Sequence, residues 1–417
     1  MVVGAHVCGT EGDVSDDDAG APFGGGAGKG GPASGAGASA TGDGLRRRRR
    51  RRRLRRSGIV VAVLAVGAVG AGWAVYAKLD GNITSDEAAA AELARYEKER
   101  PTSLVRGARN VLLIGSDSRS GDGNARYGRD TGTERSDTTI LLHLAAGRDS
   151  ATAVSLPRDL MVDVPDCRRP DGARTEPVLA QFNYAYEVGG SACSIRTVEK
   201  LTGVRIDHHV VVDFQGFKEL VDALDGVEVC LRKPVDDKDA KLRLPAGRVT
   251  LDGEQALGYV RARKSLGDGS DTDRMDRQQR FLGALVNKAQ SNGVLLNPMK
   301  LYPVLDAATS SLMTDPDLAS LRGLYDLVRG LRGIPTERVQ FLTVPRESYA
   351  GDANRDQLVE PDAEKLFTRL RTDEPVAIAT TAEPDAPTGS GGPREPGDGD
   401  SPAPTFSGNT AADDVCE

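Results

Sequence analysis

The chain has 417 residues, with 54 Lys and Arg against 61 Asp and Glu, for a formal net charge of −7. Ten arginines fall within residues 46–56, which hold no acidic residue, so the remainder carries −17. An acidic body of that kind excludes general nucleic-acid binding. Length alone sets a prior of two or three domains, but both ends shorten it. Residues 1–44 are mostly Gly, Ala, Ser, Asp and Thr, and residues 384–417 mostly Pro, Gly, Asp, Ser and Thr. Neither stretch has enough large apolar side chains to offset the entropy of ordering, and both are expected to be disordered. The middle, about 107–372, is long enough for one large core.

Arg46 to Arg53 form an unbroken run, with Arg55 and Arg56 close behind. Gly58 to Ala77 then contain no charge. About 20 apolar residues match the hydrocarbon thickness of a bilayer. Trp73 and Tyr76 sit at the far end, where amphipathic rings favour the interface, and the arginines hold the near end in the cytoplasm. The pattern predicts a single-pass cell-membrane anchor over 58–78, with the N-terminus cytoplasmic and the body outside. A cleaved signal peptide is the weaker reading, because its apolar core is shorter and no long leader precedes it. The arginine run also has the composition of a nucleic-acid or anionic-lipid patch, but its position flush against the span favours topology.

The resulting division is a disordered leader over 1–57, the span over 58–78, a stalk over 79–106, a domain over 107–372 and a disordered tail over 373–417. A helix over 85–100, stopped by Pro101, forms the stalk. The body opens with strands at 110–114, 138–144 and 152–156, whose continuous apolar runs suit burial on both faces. Helices follow at 193–201 and at 214–224, where Phe214, Phe217, Val221 and Leu224 recur at three-to-four spacing. Asp252 and Gln255 make a capping-box pattern for a helix through about Val260. Another helix runs from near Asp273 to Ala289, residues 301–333 look helical, and 339–344 returns to the sheet as a strand. Alternating strands and helices give an α/β domain of layered type.

There are five cysteines. Cys8 falls on the cytoplasmic side, and Cys167, Cys193, Cys230 and Cys416 face an oxidising space. Cys167 and Cys193 flank one loop and are the preferred disulfide. Cys230, in the apolar strand Val227–Leu231, reads as a buried thiol, with a Cys193–Cys230 pairing left open.

Polar residues gather at strand ends and helix starts. Asp117 and Arg119 follow the first strand, Arg135 and Asp137 precede the second, and Arg158 and Asp159 follow the third. Ligands bind outside the carboxyl ends of strands in open α/β sheets. If the second strand runs antiparallel to the first, Asp137 comes to face Asp117. Two converging carboxylates repel unless a divalent cation joins them, and an all-oxygen set suits Mg²⁺ or Mn²⁺. The alternative is a pair of ordinary turn aspartates. A second cluster is basic. Arg261 and Arg263 leave the capped helix, and Arg274, Arg277 and Gln278 share a face of the next one above Phe281. Arginine forks and a helix N-terminus both favour phosphate. The alternative there is a solvated charged face with pairs such as Asp273–Arg277. Together the clusters suit phosphoryl transfer. The sequence contains no metal-spaced His motif, no Gly-x-Ser-x-Gly elbow and no Walker loop.

These motifs resemble the LytR-CpsA-Psr family of cell-wall enzymes, in its actinobacterial type. The matching segments are 110–119 (NVLLIGSDSR), 135–138 (RSDT), 155–159 (SLPRD), 183–186 (NYAY), 253–263 (GEQALGYVRAR) and 267–279 (GDGSDTDRMDRQQ). The resemblance implies a layered α-β-α catalytic domain with a central mixed sheet, preceded by a single transmembrane helix. It implies a Mg²⁺-assisted phosphotransferase, with a pyrophosphatase side activity, that moves a glycopolymer such as teichoic acid from a polyprenyl-pyrophosphate carrier to peptidoglycan. Carried over by motif, Asp117 and Asp137 hold the metal. Arg119, Arg135, Arg158, Arg261 and Arg263 grip the pyrophosphate, and Asp273, Arg274, Arg277 and Gln278 complete the site. Arg158, Asp159 and Asp273 are the catalytic candidates. The loop between Asp117 and Asp137 is longer than the family pattern. Two other classes compete: a non-catalytic module that binds polyprenyl phosphate or wall polymer, and a transcriptional attenuator. The expected topology argues against the attenuator, since only a short low-complexity leader faces the cytoplasm.

Overall fold

The computed structural model describes residues 41–116, 136–238, 240–262, 271–290, 297–380 and 405–413. The chain divides into two units, Met1–Ala68 and Val69–Glu417. In the first, the described residues all belong to helix α1, which runs Thr41–Asn82 and so continues into the second. Its part Leu54–Asn82 is long and apolar enough to cross a membrane. The leader expected to be disordered through residue 57 is therefore helical from Thr41, because the arginine run has good helix propensity and continues into the apolar span.

The second unit is built on a nine-stranded sheet. Its strands are β1 (Thr84–Ser85), β2 (Arg109–Ser116), β3 (Ser136–Leu144), β4 (Ala151–Leu156), β5 (His208–Val212), β6 (Leu312–Thr314), β7 (Val339–Thr343), β8 (Ala377–Thr380) and β9 (Thr405–Thr410). Their order is β1-β6-β5-β2-β3-β4-β7-β9-β8. β3 is antiparallel to both β2 and β4, whereas β2–β5 and β4–β7 are parallel, so the sheet is mixed as expected.

The helices after α1 are α2 (Glu87–Arg95), α3 (Phe182–Thr202), α4 (Phe214–Ala223), α5 (Gly253–Arg261), α6 (Asp271–Gln290), α7 (Pro298–Ser311), α8 (Leu321–Arg332) and α9 (Asp362–Thr372). α2, α3 and α9 cover one face, where Leu112, Ile114 and Leu141 meet Leu93, Ile195 and Phe367. α6 and α8 cover the other, where Ile140 and Phe341 meet Leu282, Leu327 and Leu331. Burial on both faces explains the unbroken apolar runs of β2–β4. A smaller core, including Val221, Leu251, Tyr259 and Phe281, lies among α4, α5, α6 and the paired strands Val227–Leu231 and Gly247–Leu251.

Several expectations need correction. The tail after residue 373 is not all disordered, since β8 and β9 pair with each other and β9 pairs with β7. Backbone pairing demands little of side chains, and the single large apolar residue Phe406 still reaches the main core. The segment 79–106 is not a free stalk. α2 ends at Arg95, and Ala89 and Leu93 are buried. Arg100 then clasps the buried carboxylate of Glu199 at 2.7 Å. The helix expected over 193–201 starts at Phe182 and kinks at Gly189 and Gly190. The region 301–333 is two helices separated by β6. Cys167–Cys193 is a disulfide, as preferred. Cys230 is disulfide-bonded rather than a free thiol.

Two partly buried carboxylates tie these elements together. Asp315 accepts from the backbone N–H of His209 at 3.0 Å and lies 3.2 Å from Nδ1 of His208. Asp86 caps α2 through Ala89 N–H and meets Nε2 of His209 at 3.3 Å. Burial pushes both carboxyls up, but the histidine contacts and backbone N–H groups more than reverse it and hold both below the usual carboxylate range. As pH falls, the unfolded chain therefore takes up protons first. The stabilisation is complete above the unfolded carboxylate range of about pH 4 and is lost as pH falls through the lower folded values. Asp315→Asn is expected to flatten the acid-side fall in melting temperature below about pH 4, and an unchanged profile counts against this.

Candidate active site

The carboxyl ends of β2, β4 and β5 lie at one edge of the sheet, as their parallel registers require. β3 runs the other way, so its first residues reach the same edge. The antiparallel geometry that brings Asp137 to this edge is therefore present. Arg158, just beyond β4, donates from Nη1 to Asp137 Oδ1 at 3.0 Å and from Nε to Asp159 Oδ2 at 3.1 Å. Burial lowers the guanidinium pKa, but the charges of Asp159 and Asp137 outweigh it and raise the value overall. Arg158 thus stays cationic, is held from two sides, and still keeps part of its surface open.

A cavity of about 720 Å³ adjoins this cluster, between the sheet and helices α4, α5 and α6. Ligand pockets of this size, mostly apolar with a few placed polar groups, are typical of small-molecule sites. Arg274, Gln278, Phe281 and Leu285 line it at three-to-four spacing along α6. Arg274 and Leu285 lie about 16 Å apart along the helix axis at 1.5 Å per residue. Along this face of α6 the charged residue stands in the first turn and the apolar ones lie further on, where the Phe217 and Phe281 rings meet at a tilt with centroids 5.5 Å apart.

Two contacts fix that arrangement. Gln279, buried, donates to Ser155 Oγ and Thr343 Oγ1, each at 3.0 Å, pinning α6 over the ends of β4 and β7. The capping box of Asp252 and Gln255 is present and starts α5. At the other end of α5, Arg261 lies over the Phe214 ring at 4.5 Å. α4 and α5 approach through Gly253, where a Cβ would sit 2.4 Å from the Lys218 carbonyl oxygen. Gly253→Ala is expected to spread this cavity wall and cost about 1–3 kcal/mol of stability. A thermal melt checks it, and an unchanged melting temperature contradicts it.

Of the residues named from sequence, Asp137, Arg158, Arg261, Arg274 and Gln278 line the cavity. Asp159 sits beside it, against Arg158. Asp273 and Arg277 do not line it. Arg277 turns to the carbonyl of Ala262 at the end of α5, and burial lowers its pKa. Asp117, Arg119, Arg135 and Arg263 lie outside the described residues. Arg274 is buried and paired with Asp271 at 2.7 Å. Among the described residues no group of three or more His, Cys, Asp or Glu is poised for a metal. Mg²⁺ is nevertheless commonly held by one or two carboxylates plus substrate phosphates. Asp137, a hard oxygen donor at the charged end of the cavity, fits one of those places.

The LytR_cpsA_psr family description matches residues 76–372, well over half of the chain. The chain belongs to the LytR-CpsA-Psr family. The cell wall biosynthesis protein LcpA of Corynebacterium glutamicum is 33% identical over 325 residues, covering 72% of this chain and 61% of LcpA. The chain thus spans about three-fifths of that relative's length. A TagU of Enterococcus faecalis, a polyisoprenyl-teichoic acid–peptidoglycan teichoic acid transferase, is 33% identical over 262 residues, covering 62% of this chain and 76% of TagU. A LytR-Csp2A-Psr enzyme from Actinomyces oris shares the fold, with a TM-score of 0.51 at 21% identity over 65% of this chain and 93% of that one.

In this LytR-CpsA-Psr chain, two contributors escaped the sequence reading. Gln181 donates to Asp159 Oδ1 at 2.8 Å. It stands just before the 183–186 motif, and that adjacency was the signal available. Lys241 brings a further cation to the cavity from a hairpin turn, with no signal in its local sequence.

Proposed function

We propose that this protein is a membrane-anchored phosphotransferase that moves a glycopolymer from a polyprenyl-pyrophosphate carrier to peptidoglycan. The observation that carries the reading is one apolar cavity with Arg158, Arg261 and Arg274 among its lining residues. An amphiphile with a pyrophosphate head and a prenyl tail matches that division. The names of LcpA and TagU support cell-wall polymer as the cargo. The apolar helix Leu54–Asn82 supports an enzyme that works where its lipid substrate stays. The arginine run before it supports a cytoplasmic N-terminus and a catalytic domain outside.

Arg158 and Arg261 grip the pyrophosphate oxygens, with Arg274 and Gln278 behind them. Arginine forks match phosphate bidentately. The acceptor hydroxyl oxygen bonds to the phosphorus that carries the polymer, while the bond from that phosphorus to the bridging oxygen breaks. Polyprenyl phosphate leaves, and the hydroxyl proton passes to Asp159. Gln181 and Arg158 hold that carboxylate in place. A Mg²⁺ ion held by Asp137, with Asp117 as its second carboxylate, supplies further charge neutralisation when bound.

The intact protein in detergent, given a short prenyl-pyrophosphate glycolipid and peptidoglycan fragments, tests the reading. Release of prenyl phosphate together with coupled polymer is expected. Failure to bind the lipid or to release phosphate overturns it.

A further inference from the structure

Outside α1, few large apolar side chains stand exposed among the described residues, and four of them lie on the two helices that touch the end of α1. They are Met299 (83%) and Tyr302 (36%) on α7, and Tyr325 (61%) and Val328 (54%) on α8. Both helices touch the last turns of α1. Lys78 Nζ donates to Tyr302 Oη at 3.1 Å and to Asp306 Oδ2 at 2.9 Å. Asn82 Nδ2 donates to Asp306 Oδ1 at 2.9 Å. Moving along α1 thus moves in step along α7, so the two helices run side by side in the same direction. Met299 precedes Tyr302 by three residues, about 4.5 Å at the helical rise. That brings it level with Val75 and Tyr76, at the aromatic end of the apolar span. α8 starts beside the same turns, where Leu321 N–H donates to Asp80 Oδ1 at 2.8 Å.

α8 is two-sided. Leu324, Leu327 and Leu331 pack inward. The outward stripe carries Arg322, Tyr325, Arg329 and Arg332, with Val328 at one margin and the acidic Asp326 at the other, so three cations outnumber one carboxylate. None of these three arginines makes an ion pair among the described residues. Basic side chains interleaved with aromatic and aliphatic ones on one helix face suit the interface of an anionic bilayer. Tyrosine favours the headgroup level.

We propose that the first turn of α7 and the outer stripe of α8 form a membrane-contact surface for anionic lipid headgroups, fixing the catalytic domain against the bilayer. This rests on α1 being a membrane anchor, and not on the transferase reading. The anchor alone leaves the domain free to tilt. A second contact beside it removes that freedom and sets the distance from the cavity to the lipid surface.

The test uses the intact protein with Trp73→Phe and Tyr325→Trp, so that the only indole sits at position 325. It is reconstituted into phosphatidylcholine vesicles with or without phosphatidylglycerol, carrying plain or brominated acyl chains. The expected result is flotation with the vesicles and at least twofold quenching by brominated lipid when phosphatidylglycerol is present. Arg322→Glu, Arg329→Glu and Arg332→Glu together should abolish that quenching. In the unsubstituted protein, amide exchange over 298–304 and 321–332 should slow in phosphatidylglycerol vesicles relative to phosphatidylcholine. Flotation with unquenched emission and unchanged exchange overturns the proposal and leaves the anchor standing. Quenching that ignores lipid charge, or protection that follows protein concentration as a second copy would produce, also overturns it. Absence of flotation overturns the anchor, and the proposal with it.

Discussion

Arg158→Ala is expected to lower kcat/KM for polymer transfer by about 10²–10³-fold, the range for loss of one preorganised donor to a developing anion. Each factor of ten corresponds to about 1.36 kcal/mol of transition-state stabilisation. The guanidinium holds Asp137 and Asp159 at 3.0 and 3.1 Å while lining the cavity. Its removal takes a cation from the substrate's phosphates and leaves two carboxylates to repel them. Both carboxylates keep some exposure, 34% and 22%, so the fold should survive and a melting curve should stay near that of the unsubstituted protein. Arg158→Lys keeps the charge but loses the planar fork, so it should recover only part of the activity. The measurement is transfer of labelled polymer to peptidoglycan fragments by the intact protein. Activity within threefold of wild type would remove Arg158 from the mechanism.

Cys193→Ser is expected to cost about 3.5 kcal/mol, from the loop-closure entropy of a 26-residue separation. For a folded body of about 300 residues this lowers the melting temperature by about 5 °C. The disulfide joins α3 to the loop at Cys167, and both cysteines are buried in the main core. Gly189 makes room for it, since a Cβ there would lie 2.7 Å from the Cβ of Cys193. Neither cysteine lines the cavity, so activity at low temperature should fall much less than stability. A melting temperature within 1 °C of the unsubstituted protein contradicts the estimate.

Most of the sheet was legible because its centre is buried on both faces, which writes continuous apolar runs into 110–114, 138–144 and 152–156. α4 and α5 were legible for local reasons: apolar residues at three-to-four spacing and a capping box that forms as written. β8 and β9 were not. Their stability comes from backbone pairing, of β9 to β7 and of β8 to β9, and Phe406 alone among their side chains is large and buried. α2 looked like a stalk because Ala89 and Leu93 are too few to announce a core face.

The candidate site divides in the same way. Residues immediately after strands, Arg158 and Asp159, could be placed from topology alone. On α6 the shared face was correct for Arg274, Gln278 and Phe281. Arg277 left it because the carbonyl of Ala262, unsatisfied at the end of α5, captures its guanidinium. No local pattern records a contact between two helix ends 15 residues apart. Gln181 was missed because its partner, Asp159, is reached only through the hairpin of Met161–Val164 with Val178–Gln181.

The most direct measurement is photo-cross-linking of the intact protein with a short prenyl pyrophosphate carrying a benzophenone at the end of its tail, followed by peptide mapping. Label is expected on α6 around Phe281–Leu285 and on α4 around Phe217–Leu220. It should be displaced by unlabelled prenyl pyrophosphate and weakened in Arg158→Ala. Label found away from these walls, or unaffected by competitor, would contradict the assignment of the cavity to the lipid carrier.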